Sequence, residues 1–431
     1  MLNFLCRFLL ISGYILLPFS TSPESGGVVS FGLPFLAIYA FLSLLIMLHS
    51  GKLNFSLAVG FGAFFLAAMW VSLPYSSHDL IPPLVRLLTN LLGFTVFLSA
   101  FFFIGRAQYS LQMFEKIIAI CGTTLAIYYC INLLQKIWVF GIGSVMVDRH
   151  TGGQSSLPWG ASNNISSVLL MCMVAAYICI KRDYRWQWLA CMLSMSVAIV
   201  FTMSRTGIVL MGLFYASILF AGNIGRKKTI GFVLLLLIIV AGSFYYWEMQ
   251  DPDSLQLMIS NRISGEGLFS GGGRFDIWRE RLGLVDDHLF MPIGYYSSLY
   301  EYASMSSHNY YLTVVLEQGI IGIIATVLFL FVPLIWGICS RDRNRIRSIY
   351  VFGLSLILLN MLVEDTNVTQ QHALVFWLYM ACLYQQVGPK RYSDFLFTQK
   401  PETSGRLSRF VQCAPTGQIA GEYKPHPDGS R

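Results

Sequence analysis

Charge is what this chain has least of. Of its 431 residues only 12% are Asp, Glu, Lys or Arg, against about 25% in an ordinary soluble domain. Hydrophobic residues make up 55%, and the mean hydropathy is +0.61. A soluble globular protein is excluded, and a polytopic membrane protein is left. Cysteine occurs nine times, but only Cys413 lies away from an apolar stretch. No disulfide framework outside the membrane is therefore available, and no pair has zinc-ligand spacing. Also missing are repeated halves with ionisable groups near the bilayer midplane, the pattern expected of a carrier.

What is present is a series of apolar runs. They fall near residues 4–20, 30–49, 53–73, 88–105, 115–135, 164–180, 187–203, 206–221, 229–247, 318–339, 347–363 and 371–386, and runs of about 17 to 25 residues cross a bilayer as helices. The expected fold is all-α and polytopic, with about twelve transmembrane helices. Basic residues collect in alternate connections: Arg7, Lys52, Arg106 with Lys116, Lys181 to Arg185, Arg226 to Lys228, Arg341 to Arg347, and Lys390 with Arg391. Cytoplasmic loops carry that bias, so both termini are expected inside. The net charge of +7 is then a topology signal and no nucleic-acid partner is implied. Arg7 ahead of LLISGYILLPFS has the make-up of a secretory leader, but its removal would upset the alternation, so it is read as the first helix.

Four regions follow. Residues 1–247 form a bundle of about nine helices, 248–306 a loop subdomain on the outer face, and 307–387 the last helices. Residues 388–431 form a cytoplasmic tail rich in Pro, Gly, Ser and charge, expected to be disordered. A connection as long as 248–306 calls for a purpose.

Several ionisable residues break the basic-inside pattern and map to the outer face: Arg86, Arg149, His150, Arg205, Arg262, Arg274, Arg279, Arg281, His308, Glu364 and Asp365. Arginines on that side suit a concave anion site. Arg205 lies in FTMSRTG, a hairpin between antiparallel helices, with Ser204 and Thr206 able to satisfy freed backbone groups. An arginine snorkelling to lipid phosphate is the plainer reading. The stretch SGGGRFDIWRERLGLVDDH, 270–288, opens with glycines that can offer N–H groups to an anion. Its Phe275, Trp278, Leu282 and Val285 form one apolar stripe, as in an amphipathic helix lying at the outer interface, and Arg274 falls in the first turn.

The third element is SSHNYYLTVVLEQGIIG, 306–322. Ser306 or Ser307 is expected to cap a helix that runs unbroken into the span at 318–339. His308 would stand on that helix, and Gly319 and Gly322 would let a neighbouring helix approach. Glu317, close to the lipid boundary, is expected to pair with an arginine.

An SRTG hairpin, a GGR-x-x-x-W segment and an HN-x-x-L-x-x-x-x-E-x-G-x-x-G helix, in that order across residues 160–340, resemble the bacterial O-antigen ligase and polymerase superfamily. WGASNN before Ile165 is similar to that family's Asn-containing entrance to an earlier span. The resemblance implies a fold similar to the GT-C glycosyltransferases, with a large periplasmic loop, in the bacterial inner membrane. It implies a metal-independent glycosyltransferase without cofactor, whose donor is an undecaprenyl-diphosphate-linked glycan and whose acceptor is a glycan or a lipid-linked unit. Other polysaccharide export proteins are implied as further partners.

The residues suit that chemistry. A leaving diphosphate needs its charge neutralised, and an attacking hydroxyl needs a base. Arg205 and Arg274 can supply the first through their planar forks. His308 can supply the second, since imidazole titrates near neutral pH, or can steady the leaving group. Asn309 and Asn164 are candidates for orienting substrate, with Arg86 and Arg149 completing an anion funnel and Glu317 beside them. A WWD motif is absent, and Glu24 is the acidic residue available in the first outer loop. Polymerisation of repeat units is the preferred reading, with ligation to lipid A core the alternative. A lipid-linked glycan flippase and a non-enzymatic scaffold are more remote. Tyr295, Tyr296, Tyr300, Tyr302, Tyr310 and Tyr311 suit stacking on sugars or ordinary interfacial packing.

Overall fold

The computed structural model describes residues 2–20, 30–50, 56–76, 80–105, 109–141, 162–183, 185–220, 226–253, 256, 274–298, 307–340, 344–364 and 370–388. All of them lie in the unit Met1–Pro389. Among these residues there is no strand, only an isolated bridge between Ser20 and Ser30. A helix forms at every one of the apolar runs.

In chain order the helices are α1 (Leu2–Leu16), α2 (Leu33–His49), α3 (Leu57–Ser72), α4 (Ile81–Gly105), α5 (Leu111–Phe140), α6 (Ser162–Asp183), α7 (Trp186–Phe201), α8 (Arg205–Phe220) and α9 (Arg226–Gln250). The short α10 (Arg274–Gly283) and α11 (Val285–His288) come next. The series ends with α12 (Tyr310–Thr326), α13 (Val332–Cys339), α14 (Arg345–Met361) and α15 (Gln370–Val387).

Among the described residues, five helical stretches are long and apolar enough to cross a bilayer: Leu57–Tyr75, Ile81–Gly105, Leu111–Val139, Asn163–Asp183 and Tyr310–Cys339. Others are shorter, such as α1 and α8 at 15 and 16 residues. At about 1.5 Å per residue they fall short of a hydrocarbon core of about 30 Å. Outward-facing Phe4, Phe41, Val209 and Ile238 are 75%, 62%, 61% and 67% exposed, a liability in water and the expected condition in lipid. The chain is a membrane protein.

The centre of the bundle is α6 and α15, both buried along nearly their whole length. α15 packs on α4, and α6 on α5 and α7. The buried Trp377 of α15 donates to Asn90 Oδ1 of α4 at 3.0 Å.

The helix after His308 is not continuous. Gly319 has φ 63° and ψ −154°, in the left-handed region that glycine enters without a Cβ clash. A Cβ there would lie 2.6 Å from the Leu289 carbonyl oxygen. The segment following α11 enters this break: Ile320 N–H donates to Leu289 O at 2.8 Å, and Ile293 N–H to Leu316 O at 3.0 Å. Gly319 thus admits the C-terminal end of α11, and Gly322 faces Gln318 and Val314 of its own helix. Val327–Phe331 then forms a π-turn before α13. The expectation of an unbroken helix into 318–339 is corrected on both counts.

α10 carries part of the segment read as an amphipathic helix. Phe275 and Leu282 are 58% and 59% exposed whereas Arg281 is 2% exposed, and Val285 falls in the separate α11. Arg274 and Trp278, one turn apart, bond to residues outside α10.

Candidate functional site

The carboxylate of Glu364 gathers three segments of chain. Glu364 lies just past the end of α14 and is 4% exposed. Its Oε1 accepts from Arg274 Nη2 at 2.6 Å and from Asn163 Nδ2 at 2.5 Å. Its Oε2 lies 3.5 Å from His308 Nδ1. Arg274 Nη1 donates to the neighbouring Val363 carbonyl at 2.8 Å, so one guanidinium fork holds a carboxylate and a backbone oxygen together. Charge-assisted contacts of this kind are the strong ones. The side chains of His308 and Arg274 remain 39% and 23% exposed, against 5% for Glu364. The carboxylate is therefore the buried anchor of the site, and the histidine and arginine keep access to a ligand.

His308 is not on a helix. Its φ is 47°, and the N-cap of α12 is Asn309, whose Oδ1 accepts from Tyr311 and Leu312 N–H at 3.0 and 3.2 Å. The expected cap at Ser306 or Ser307 is corrected: the Ser307 hydroxyl is occupied by Thr313 Oγ1 at 2.5 Å and by the Asn309 N–H at 3.1 Å. Trp278 Nε1 donates to the Ser307 carbonyl at 3.0 Å. Both marked residues of the GGR-x-x-x-W segment thus act on one place, Arg274 through Glu364 and Trp278 through the residue before His308. Asn309 serves the helix as its cap.

Arg205 is the first residue of α8. Met203 has φ 51°, Ser204 accepts from Gly207 N–H at 3.2 Å, and a Cβ on Gly207 would sit 2.6 Å from Ser166 Cβ. SRTG therefore reads as cap, cation and close approach. Ser166 donates to the Asn163 carbonyl at 2.8 Å, so α8 starts beside the end of α6 that bears the Glu364 contact. Of the two asparagines in WGASNN it is Asn163 whose amide reaches Glu364, and Asn164 is buried one position on.

Arg86 and Glu317 belong to a second cluster. Arg86 Nη2 donates to Tyr296 Oη at 2.9 Å, and its guanidinium lies 4.1 Å from the centroid of that ring. The Glu317 carboxylate, 4% exposed, accepts from Tyr296 N–H at 2.8 Å and from Ser298 N–H and Oγ at 3.2 and 2.6 Å. Backbone amides and a hydroxyl thus hold the carboxylate in place. Tyr295 is buried, with burial pushing its phenol well above the ordinary range, and Tyr310 is buried too, so these two serve packing and offer no open platform to a sugar. Arg149, Tyr300 and Tyr302 lie outside the described residues.

Residues 190–327 match the family model described as O-antigen ligase. The match takes in Arg205, Arg274, His308, Asn309 and Glu317, and leaves out Arg86, Asn163 and Glu364. No curated protein matches the chain.

Proposed function

The match over residues 190–327 puts the chain with the O-antigen ligase and polymerase superfamily, and from that premise we propose that it is a glycosyltransferase of the bacterial inner membrane. Its donor is a glycan on undecaprenyl diphosphate at the periplasmic face, and its acceptor is a glycan hydroxyl. The observation that carries the reading is the contact of His308 and Arg274 with one buried carboxylate, Glu364.

Glu364 faces Nδ1 of His308, which orients the ring with Nε2 directed away from the carboxylate. In the reaction Nε2 takes the proton of the acceptor hydroxyl as its oxygen attacks the anomeric carbon, and the bond to the diphosphate oxygen breaks. The carboxylate steadies the imidazolium that forms, the role an orienting acid has in other base-catalysed transfers. Arg274, fixed through two nitrogens, and Arg205 at the start of α8 neutralise the departing diphosphate. Asn163 holds the carboxylate from α6. Two arginines supply the positive charge, so the reaction needs no metal ion. Arg149 remains a proposed part of the anion funnel. Twelve spans with both termini in the cytoplasm accompany this reading, since the basic connections and the site then fall on opposite faces.

Polymerisation of repeat units is adopted first, because donor and acceptor are then one class of molecule. Ligation to lipid A core is the second reading, favoured by the description of the matching family. Incubating the purified protein with a short undecaprenyl-diphosphate-linked repeat unit alone separates them. A ladder of longer chains means polymerase; transfer only when lipid A core is added means ligase; no transfer to either acceptor overturns the proposal.

A further inference from the structure

One helical turn below the contact of Asn163 with Glu364, the same two helices meet again. Ser167 is four residues on from Asn163, and Asn360 four residues before Glu364. Asn360 Nδ2 donates to Ser167 Oγ at 2.8 Å. The Ser167 hydroxyl also lies 3.3 Å from Nε2 of His372, the third residue of α15. His372, Asn360 and Ser167 are 0%, 1% and 4% exposed. An imidazole, an amide and a hydroxyl in an apolar interior cost free energy unless they bond to one another. Interhelical bonds of this kind hold helices in one register, where small apolar groups would let them slide. α14 and α15 flank the connection that begins at Glu364, and α6 brings Asn163, so the three bonded side chains clamp the three helices on which the carboxylate's position depends.

We infer that His372 is a positioning residue for the transfer site. It locks α6, α14 and α15 through Ser167 and Asn360 in the register where Asn163 meets Glu364, without touching substrate. The inference rests on the transfer reading above for its kinetic consequence, and on the bonds alone for its structural one.

The test uses the full-length purified protein and the short undecaprenyl-diphosphate-linked repeat unit as substrate. His372→Phe keeps the ring, which stacks on Phe376 with centroids 6.5 Å apart, and removes the bond to Ser167. His372→Gln places a polar atom where Nε2 was, and His372→Asn places one only at the Nδ1 position. His372→Phe is expected to keep its thermal unfolding temperature and its KM and to lose kcat by about 10- to 100-fold, the scale of a small misplacement of reacting groups. Gln is expected to restore kcat, and Asn is not. Backbone amide exchange over residues 362–364 is expected to quicken in the Phe variant and to be normal in Gln, a readout independent of activity. Wild-type kcat together with wild-type exchange in His372→Phe overturns the inference, as does equal loss in Phe and Gln. If the wild-type protein transfers nothing, the transfer reading falls, while the exchange comparison still decides the lock.

Discussion

His308 Nδ1 lies 3.5 Å from Glu364 Oε2, and the other oxygen of that carboxylate lies 2.6 Å from Arg274 Nη2. An imidazole and a guanidinium are thereby held to one buried carboxylate. Glu364→Gln retains the shape and an acceptor but loses the charge that steadies the imidazolium. Its kcat should fall by about 100-fold, within the range that general base catalysis contributes, while membrane insertion is unchanged. Steady-state transfer kinetics check this, and an unchanged kcat would remove Glu364 from the mechanism.

Arg274→Lys should not rescue Arg274→Ala. A lysine offers one compact ammonium, whereas the guanidinium spans Val363 O and Glu364 together. Transfer by Arg205→Ala and both Arg274 variants should fall below about 1% of wild type if each supplies an electrostatic contact worth about 3 kcal/mol. Full activity in Arg274→Lys would show that the fork is dispensable.

Glu317 and Gly319 carry a different prediction, about folding. Glu317→Ala leaves the N–H groups of Tyr296 and Ser298 without their acceptor, and an orphaned buried donor costs about 1 to 3 kcal/mol. Gly319→Ala forces a Cβ into a positive-φ, extended-ψ conformation that is essentially glycine's alone, at about 1 to 3 kcal/mol, and against Leu289 O. Both should lower the thermal unfolding temperature of the solubilised protein and expose the segment 289–298 to protease. Loss of transfer with unaltered stability would instead make Glu317 a substrate contact.

Chelation supplies a fourth test. If Arg205 and Arg274 meet the diphosphate, transfer by protein purified in EDTA should match transfer in the presence of Mg²⁺. Dependence on added divalent cation would contradict the arginine reading.

The helices were legible because an apolar run of some twenty residues has few alternatives in a bilayer. Arg205, Arg274 and His308 stood out as ionisable groups on the outer face, against the basic-inside pattern. What escaped the sequence was tertiary. Ser307 and Asn309 are both good capping residues, and the choice went to Asn309 because the Ser307 hydroxyl is taken by Thr313. The break at Gly319 depends on Leu289, thirty residues earlier. Asn163 and Asn164 differ by about 100° around α6, and only a partner across the bundle distinguishes them. Glu364 was visible as an outer-face acid, but nothing in its neighbourhood in the chain announces Arg274, His308 and Asn163.

The most direct measurement is transfer from the short undecaprenyl-diphosphate-linked repeat by purified His308→Ala, beside wild-type protein of equal thermal unfolding temperature, with lipid-linked repeat and lipid A core each supplied as acceptor. With His308 as the base, product formation should fall by at least about 100-fold with either acceptor. Wild-type product from His308→Ala would contradict the central claim, because no proton would then need to pass through the histidine that Glu364 holds.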